Sequence, residues 1–243
     1  GGRGGRNNTT AVSSPVQIGA LTTWAKCQAT NDGGRAIKTD GTFWAWGDNT
    51  YGQLGTNNTT AYSSPVQVGA LTTWATTGGM YNFTLAIKTD GTLWSWGYNS
   101  VGQLGLDDTT NRSSPVQVGA LTTWSIAKGG DNMTLALKTD GTAWSFGQNN
   151  RGQLGNSPSY PYPNESSPVQ IGALTTWSGI ACGSQHTIST RTDGTLWSWG
   201  YNDIGQLGIG STSYKTSPVQ IGALTTWTVT GAGPAMGFAI AEA

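Results

Sequence analysis

Charged side chains are scarce in this chain of 243 residues, which has 12 basic and 12 acidic groups and a formal net charge of zero. Proteins that bind nucleic acid or anionic membranes carry clusters of Lys and Arg, and the sequence shows no such cluster. No apolar run approaches the roughly 20 residues that a membrane-spanning helix needs. The composition therefore predicts neither a nucleic-acid partner nor insertion into a membrane.

Cysteine and histidine are equally rare. Cys27 and Cys182 are the only two cysteines, and His186 is the only histidine. These residues are too few to form a metal site, so we predict no metal and no cofactor. Free cysteines in folded proteins behave as small apolar side chains, and we expect both thiols to be buried.

Features of catalytic sites are also missing. The sequence has no Gly-x-Ser-x-Gly segment of the kind that presents a nucleophilic serine. Its regularly placed carboxylates occupy the turn position of a repeat, and we expect structural roles for Asp40, Asp90, Asp140 and Asp193. We therefore predict that the protein is not an enzyme.

One line of twelve residues, Ser-Ser-Pro-Val-Gln-(Ile/Val)-Gly-Ala-Leu-Thr-Thr-Trp, occurs five times, and its fifth copy opens with Thr-Ser. The prolines of successive copies are 50, 50, 53 and 50 residues apart, at Pro15, Pro65, Pro115, Pro168 and Pro218. A fixed period of this length predicts an array of similar units, each of which buries an apolar face against the next.

Each unit contains two short apolar runs joined by Asp-Gly, a pattern typical of a β-hairpin. In the second run of one unit, Trp94 and Trp96 are two residues apart, so both lie on one face of a strand while Ser95 lies on the other. We predict that these and the equivalent aromatic residues form the core: Trp24, Trp44, Trp46, Trp74, Trp124, Trp144, Phe146, Trp177, Trp197, Trp199 and Trp227.

Two further segments complete the unit. Gly-Gln-Leu-Gly follows the hairpin and is predicted to form turns, because the Lys and the helical pattern of a phosphate-binding loop are absent. Pro-Val-Gln-Val is predicted to be a short strand that starts at Pro, at an edge of a sheet. Four short strands in about 50 residues, with no helical periodicity, predict an all-β fold with the blades of a β-propeller.

The run from Gly183 to Gly208 contains Gly-x-x-His-Thr, Asp-Gly-x-x-Trp-x-Trp-Gly and Gly-Gln-Leu-Gly in succession. It resembles the repeat of the regulator of chromosome condensation family, in the form found in bacterial and phage-borne proteins, and the resemblance covers essentially the whole chain. It implies a β-propeller with four-stranded blades but no single activity, because the family includes exchange factors, enzyme inhibitors and uncharacterised proteins. The family's His is present only at His186, where we expect a packing role.

We predict one β-propeller domain over residues 1–243, with about five blades. Its repeats are predicted at approximately 1–50, 51–100, 101–153, 154–203 and 204–243, the last one incomplete. Three arrangements stay open. The two ends of the chain form one composite blade in a closed ring, or the chain is a fragment of a longer propeller, or it forms an open arc that oligomerisation completes.

Binding residues are expected where the repeats differ, because loops on a rigid scaffold carry specificity. One such place is the stretch before Gly-Gln-Leu-Gly, with Tyr51, Tyr98, Arg151 and Tyr201. The other is the insertion 156–165, where Tyr160 and Tyr162 are candidate contact residues.

The first hypothesis for function is a structural or interaction propeller, an adhesion or appendage module that binds a protein or glycan at a cell or particle surface. The Ser-, Thr-, Asn- and Gly-rich composition favours an extracellular or virion location, and a larger assembly is compatible with it.

The second hypothesis is a lectin with one sugar site per blade. The near-identity of the repeats favours it, and several equivalent sites would give it avidity. A guanine-nucleotide exchange module is the third.

Overall fold

The computed structural model describes residues 5, 14, 16–18, 22–156, 162–233 and 235–241. These residues contain β-strands and turns but no helix. They belong to two compact units, which are residues 1–100 with 110–122 (unit 1) and residues 101–109 with 123–243 (unit 2). Within the described ranges, no helix is long and apolar enough to cross a membrane.

Unit 1 contains two four-stranded antiparallel sheets in which sequence neighbours pair. Blade 1 consists of β1 (Trp24–Thr30), β2 (Gly33–Lys38), β3 (Phe43–Gly47) and β4 (Tyr62–Gln67). Blade 2 consists of β5 (Trp74–Gly78), β6 (Phe83–Lys88), β7 (Leu93–Gly97) and β8 (Arg112–Gln117).

Unit 2 contains two more sheets of the same kind and one sheet of two strands. Blade 3 consists of β9 (Trp124–Gly129), β10 (Met133–Lys138), β11 (Ala143–Gly147) and β12 (Glu165–Gln170). Blade 4 consists of β13 (Trp177–Cys182), β14 (His186–Arg191), β15 (Leu196–Gly200) and β16 (Lys215–Gln220). Blade 5 has β17 (Trp227–Gly233) and β18 (Met236–Ala241). The prediction of four complete blades and a partial fifth is confirmed.

The sheets begin at a different point from the sequence repeats. Each Thr-Thr-Trp segment opens a sheet, and the Ser-Pro-Val-Gln segments at Pro65, Pro115, Pro168 and Pro218 lie in the edge strands that end one. The edge strand was predicted to start at its proline, but β8 starts at Arg112, three residues before Pro115. The strand extends further because Arg112 still pairs with Gly97 of β7.

The third strand of each four-stranded blade is covered on both faces. In β7, Trp96 and Ser95 lie on opposite faces and both are fully buried. In unit 2 the equivalent Ser145 donates a 2.8 Å hydrogen bond to the carbonyl oxygen of Leu154, in the loop that follows. Burial of one Trp side chain contributes about 4–6 kcal/mol before entropy is counted.

The predicted core aromatics fall into two groups by exposure. One group is buried: Trp46, Trp74, Trp96, Trp124, Phe146, Trp177 and Trp199. The other group is half-buried: Trp24, Trp44, Trp94, Trp144, Trp197 and Trp227. The second group therefore keeps part of its surface in contact with solvent.

The two cysteines differ, and the prediction for one of them is wrong. Cys182 is buried in the core of unit 2, and this burial raises the pKa of its thiol to about 12. Cys27 is exposed. It lies on β1, the first strand of blade 1, which forms an edge of its sheet.

Candidate binding sites

The Asp-Gly turn of each hairpin is held by its own side chains. In blade 1, the backbone N–H and the hydroxyl of Thr42 donate to Asp40 Oδ1 at 2.9 and 2.6 Å, and Trp44 Nε1 donates to Thr42 Oγ1 at 2.8 Å. The bond from the Thr42 hydroxyl, followed by the one from its backbone, lowers the pKa of Asp40. The same three bonds recur at Asp90, Asp140 and Asp193. These carboxylates have the contacts of turn residues.

A basic side chain covers one face of each half-buried Trp of the third strands. The Nζ atom of Lys88 lies 3.5 Å from the ring centroid of Trp94, and that of Lys138 lies 3.7 Å from the centroid of Trp144. Trp74 packs against Trp94 in an edge-to-face arrangement, with 6.0 Å between centroids. These indole rings therefore have little free face for a ligand.

The loops at the opposite end of the strands are fixed by a buried asparagine. Asn49 Oδ1 accepts a 2.9 Å hydrogen bond from the backbone N–H of Leu54, while Asn49 Nδ2 donates to the carbonyl oxygens of Asn58 and Thr60, both at 3.0 Å. The equivalent Asn99, Asn149 and Asn202 are also fully buried. A rigid backbone carries the variable residues beside them.

In unit 1, two of the predicted binding residues come together. The rings of Tyr51 and Tyr98 lie 4.6 Å apart between centroids, at an interplanar angle of 50°. Both are half-buried. We call them the tyrosine pair; they belong to the loop stretches 48–51 and 98–101.

In unit 2, two more of the predicted residues, Arg151 and Tyr201, lie together with Tyr214, which was not predicted. The guanidinium carbon of Arg151 lies 5.5 Å from the ring centroids of both Tyr201 and Tyr214, and the two rings are 5.0 Å apart. The hydroxyl of Tyr201 donates to Asp203, and this bond raises the pKa of Tyr201 to about 12. Arg151 and Tyr214 are exposed. We call Arg151, Tyr201 and Tyr214 the arginine–tyrosine cluster.

The insertion is only partly described. Tyr160 lies outside the described residues, and Tyr162 is half-buried, a few residues before β12. Sequence reasoning missed Tyr214, because nothing in its local sequence connects it with Arg151. It also missed Tyr81, a non-glycine residue with a φ of 42° in the turn between β5 and β6.

His186 is buried at the start of β14, where its exposed fraction is 1%. Burial lowers the pKa of His186, and a hydrogen bond with the backbone of Met236 partly offsets this lowering. Its Nε2 atom has no hydrogen-bond partner among the described residues. In the described part of the chain, no group of three or more His, Cys, Asp or Glu residues is arranged to hold a metal ion.

The repeated four-stranded sheets define a β-propeller. The regulator of chromosome condensation (RCC1) repeat matches residues 40–86, 90–137, 140–189 and 193–236, and a second description of the same repeat matches residues 125–153 and 177–206. The chain belongs to the RCC1 repeat family.

Three solved structures show the same fold. Human WBSCR16 has a TM-score of 0.83 and 20% identity, with 100% of this chain and 65% of that chain covered. Prp20p from Saccharomyces cerevisiae has a TM-score of 0.83 and 20% identity over 95% of this chain and 59% of that one. Yeast RCC1 (Prp20) bound to Kap60 has a TM-score of 0.80 and 21% identity over 95% and 57%. The chain thus spans about three fifths of these structures.

Proposed function

We propose that this propeller is a non-enzymatic interaction module that binds a protein partner through the tyrosine pair and the arginine–tyrosine cluster. The observation that carries the proposal is that both groups occupy loop positions at which otherwise matching repeats differ. Tyr51 is replaced by Val101, Arg151 and Ile204 at the equivalent positions. Tyrosine and arginine are among the residues that contribute most to protein interfaces.

The fold neighbours agree with a protein partner. The Prp20p structure is described together with binding to Gsp1p and histones, and yeast RCC1 (Prp20) was solved bound to Kap60. Arg151 is exposed, so its guanidinium N–H groups can donate to a partner's carboxylate. We further propose that the partner lies on a cell or particle surface, as an adhesion or appendage role requires.

Capture of partners from the source cells tests this assignment. Immobilised wild-type protein is compared with Tyr51→Ala, Arg151→Ala and the control Leu121→Ala, which removes an exposed turn side chain. The proposal expects a protein whose quantified capture falls in the first two variants and persists in the control. Equal capture by all folded variants, or turnover of a substrate by the purified chain, would refute it.

The lectin hypothesis has one supporting observation and one against it. The arrangement of Asp, Thr, Trp and a basic residue repeats in four blades, as one sugar site per blade would require. The basic side chains cover the indole faces on which a sugar ring would stack, with Lys38 Nζ 3.9 Å from the Trp44 centroid. A glycan array with calorimetry tests the lectin hypothesis. Binding at about one sugar per blade supports a lectin, and an array without binding excludes one.

The exchange hypothesis takes its support from family membership. A nucleotide-release assay on a small GTPase tests it. Accelerated nucleotide release that Tyr51→Ala or Arg151→Ala abolishes would place exchange at the sites described above. If the chain does not accelerate nucleotide release, the interaction module stays the supported function.

A further inference from the structure

A polar groove lies between the edge strands of blades 1 and 2, within unit 1. Its volume is about 500 Å³, which is in the range of small-molecule sites. Val66 and Gln67 line it from β4, and Ser114 and Pro115 line it from β8. We call it the edge groove. Neither residue of the tyrosine pair lines it, so it is a different candidate site.

The groove is held open by Asn57, in the loop between β3 and β4. Its φ of 60° lies in the left-handed region, which Asn tolerates better than most residues. In this conformation its N–H donates to the carbonyl oxygen of Ser113 at 2.8 Å, and its Oδ1 accepts a 3.0 Å hydrogen bond from the hydroxyl of Ser114. The groove is therefore formed before a ligand binds, and binding does not have to order this loop.

Three side chains bring polar atoms to the groove. Gln67 donates through Nε2 to the carbonyl oxygen of Gly69 at 3.0 Å, and the hydroxyl of Tyr62 accepts a 3.3 Å hydrogen bond from Asn58 Nδ2. An amide has a donor end and an acceptor end, and a phenol both accepts and donates. Gln67 Oε1, Asn57 Nδ2 and the O–H of Tyr62 can therefore bond to a ligand.

Comparison with the next repeat shows which lining residues are special to this groove. Three lining positions differ between the two repeats: Thr56/Leu106, Asn57/Asp107 and Tyr62/Arg112. The other lining residues have identical counterparts, and the N–H of Asp107 donates to the carbonyl oxygen of Ser166 at 2.8 Å, as the N–H of Asn57 does to Ser113. The repeat therefore keeps the frame, and the variable positions make the lining of the edge groove uncharged.

This lining favours a neutral ligand that is rich in hydroxyl groups. No charged side chain is among the groove residues that the structure describes, so a phosphate or carboxylate would find no opposite charge there. An extended peptide would have to pair with an edge strand, and Pro65 and Pro115 each remove a donor from β4 and β8. An apolar ligand would bury the amides and hydroxyls without a partner.

We infer that the edge groove binds one neutral sugar per chain. The amides and the phenol bond to sugar hydroxyls, which both donate and accept, and the aromatic side chain of Tyr62 packs against sugar C–H groups. The site differs from those of a lectin with one sugar per blade, because the next repeat has Asp107 and Arg112 at the equivalent positions. It also shares no residue with the protein-binding groups proposed above, so the two proposals can fail separately.

An NMR titration of the isotope-labelled full chain tests the inference. The probes are glucose, galactose, mannose and N-acetylglucosamine. We expect that at least one of them causes saturable shifts of the side-chain amide signals of Asn57 and Gln67, with a millimolar Kd, and leaves the amide signal of Gln117 unchanged. If none of the four sugars binds, the inference is overturned. Equal shifts at Gln67 and Gln117 would indicate one site per blade and would also overturn it.

Variants that take residues from the next repeat change the lining and keep the frame. Tyr62→Arg and Asn57→Asp each introduce the residue that occupies the equivalent position one repeat later, so both should fold. Tyr62→Arg removes the ring and adds a charge, and it is expected to abolish detectable sugar binding. Asn57→Asp replaces a donor by an acceptor and is expected to weaken binding about tenfold. Thermal unfolding of each variant confirms that it is folded.

A pair of matched glutamine variants locates the sugar. Gln67 pairs with Trp44 and Gln117 pairs with Trp94, so the two side chains have the same place in their blades. Gln67→Ala is expected to weaken binding about tenfold, while Gln117→Ala leaves the Kd unchanged. Equal effects of the two substitutions, or wild-type affinity in a folded Tyr62→Arg protein, would show that the sugar binds elsewhere and would overturn the inference.

Discussion

The guanidinium of Arg35 donates a 2.7 Å hydrogen bond to the main-chain carbonyl oxygen of Phe83, and both residues are almost completely buried. A second bond of 2.9 Å reaches the carbonyl oxygen of Gly78. Arg35 therefore connects blade 1 to both of the first two strands of blade 2. Leu85 stands at the equivalent position one repeat later and is fully buried. Burial lowers the pKa of Arg35 to about 9, which leaves it charged at neutral pH.

Arg35→Ala should destabilise the protein. It leaves a cavity and deprives two main-chain carbonyl groups of their donor, for an expected loss of about 3 kcal/mol in the free energy of unfolding. Arg35→Leu should lose less, because it fills the space and removes a buried charge. Urea unfolding followed by Trp fluorescence measures both. An Arg35→Ala protein as stable as wild type would show that the two bonds contribute nothing net.

His186 should make the protein less stable in mild acid. Because burial lowers its pKa below the value of about 6.5 in an unfolded chain, the unfolded state binds more protons once the pH falls below about 6.5. The free energy of unfolding should therefore fall by about 1 kcal/mol between pH 7.5 and pH 5.5.

The control for this pH dependence is His186→Met, because Met133 stands at the equivalent position of blade 3. Urea unfolding at the two pH values should show no loss from this position in the variant. If wild type and variant changed equally, other groups would be responsible, and the neutral buried state of His186 would be refuted.

The two thiols should differ sharply in reactivity. The thiolate is the reactive form, and burial raises the pKa of Cys182 to about 12, whereas Cys27 is exposed. Titration of the native protein with an aromatic disulfide reagent at pH 8 should therefore release one equivalent quickly and a second only after denaturation. Cys27→Ser should abolish the fast phase. Two fast equivalents in the native protein would mean that the core of unit 2 opens readily.

The sequence predicted those parts of the fold that depend on local patterns. Asp-Gly and alternating Trp are visible within a few residues, and the exact period shows that the pattern repeats. The start of each blade was not visible, because the order of strands in a sheet depends on which segments pair across tens of residues. The strand through Ser114 and Pro115 ends one sheet although the sequence runs on without a break to Trp124, which opens the next.

The candidate sites were only half predictable, for a related reason. Tyr51, Tyr98, Arg151 and Tyr201 stand where the repeats differ, so comparison of the repeats finds them. Tyr214 reaches Tyr201 across the loop that follows β15, and this contact exists only in three dimensions. The buried asparagines, such as Asn49, recur in the repeats and can be found in the sequence. Only the loop geometry shows that they bond to the backbone of the loop.

Two glycines with similar backbone conformations should respond very differently to alanine. Gly141 and Gly172 have φ values of +76° and +61°, and both therefore resist a Cβ atom to a similar degree. A Cβ on Gly141 would stand 2.2 Å from the carbonyl oxygen of Thr175, at the start of the next blade, whereas one on Gly172 would meet nothing within 4 Å among the described residues. Gly141 also accepts the 3.1 Å hydrogen bond from the N–H of Trp177 that joins the two blades.

Gly172→Ala should lower the free energy of unfolding by about 1 kcal/mol, the usual strain of a left-handed alanine. Gly141→Ala should lower it by at least about 2 kcal/mol more, because main-chain atoms have to move. Urea unfolding of the two single variants measures the difference, and equal losses would show that the contact between hairpin and following blade is not tight.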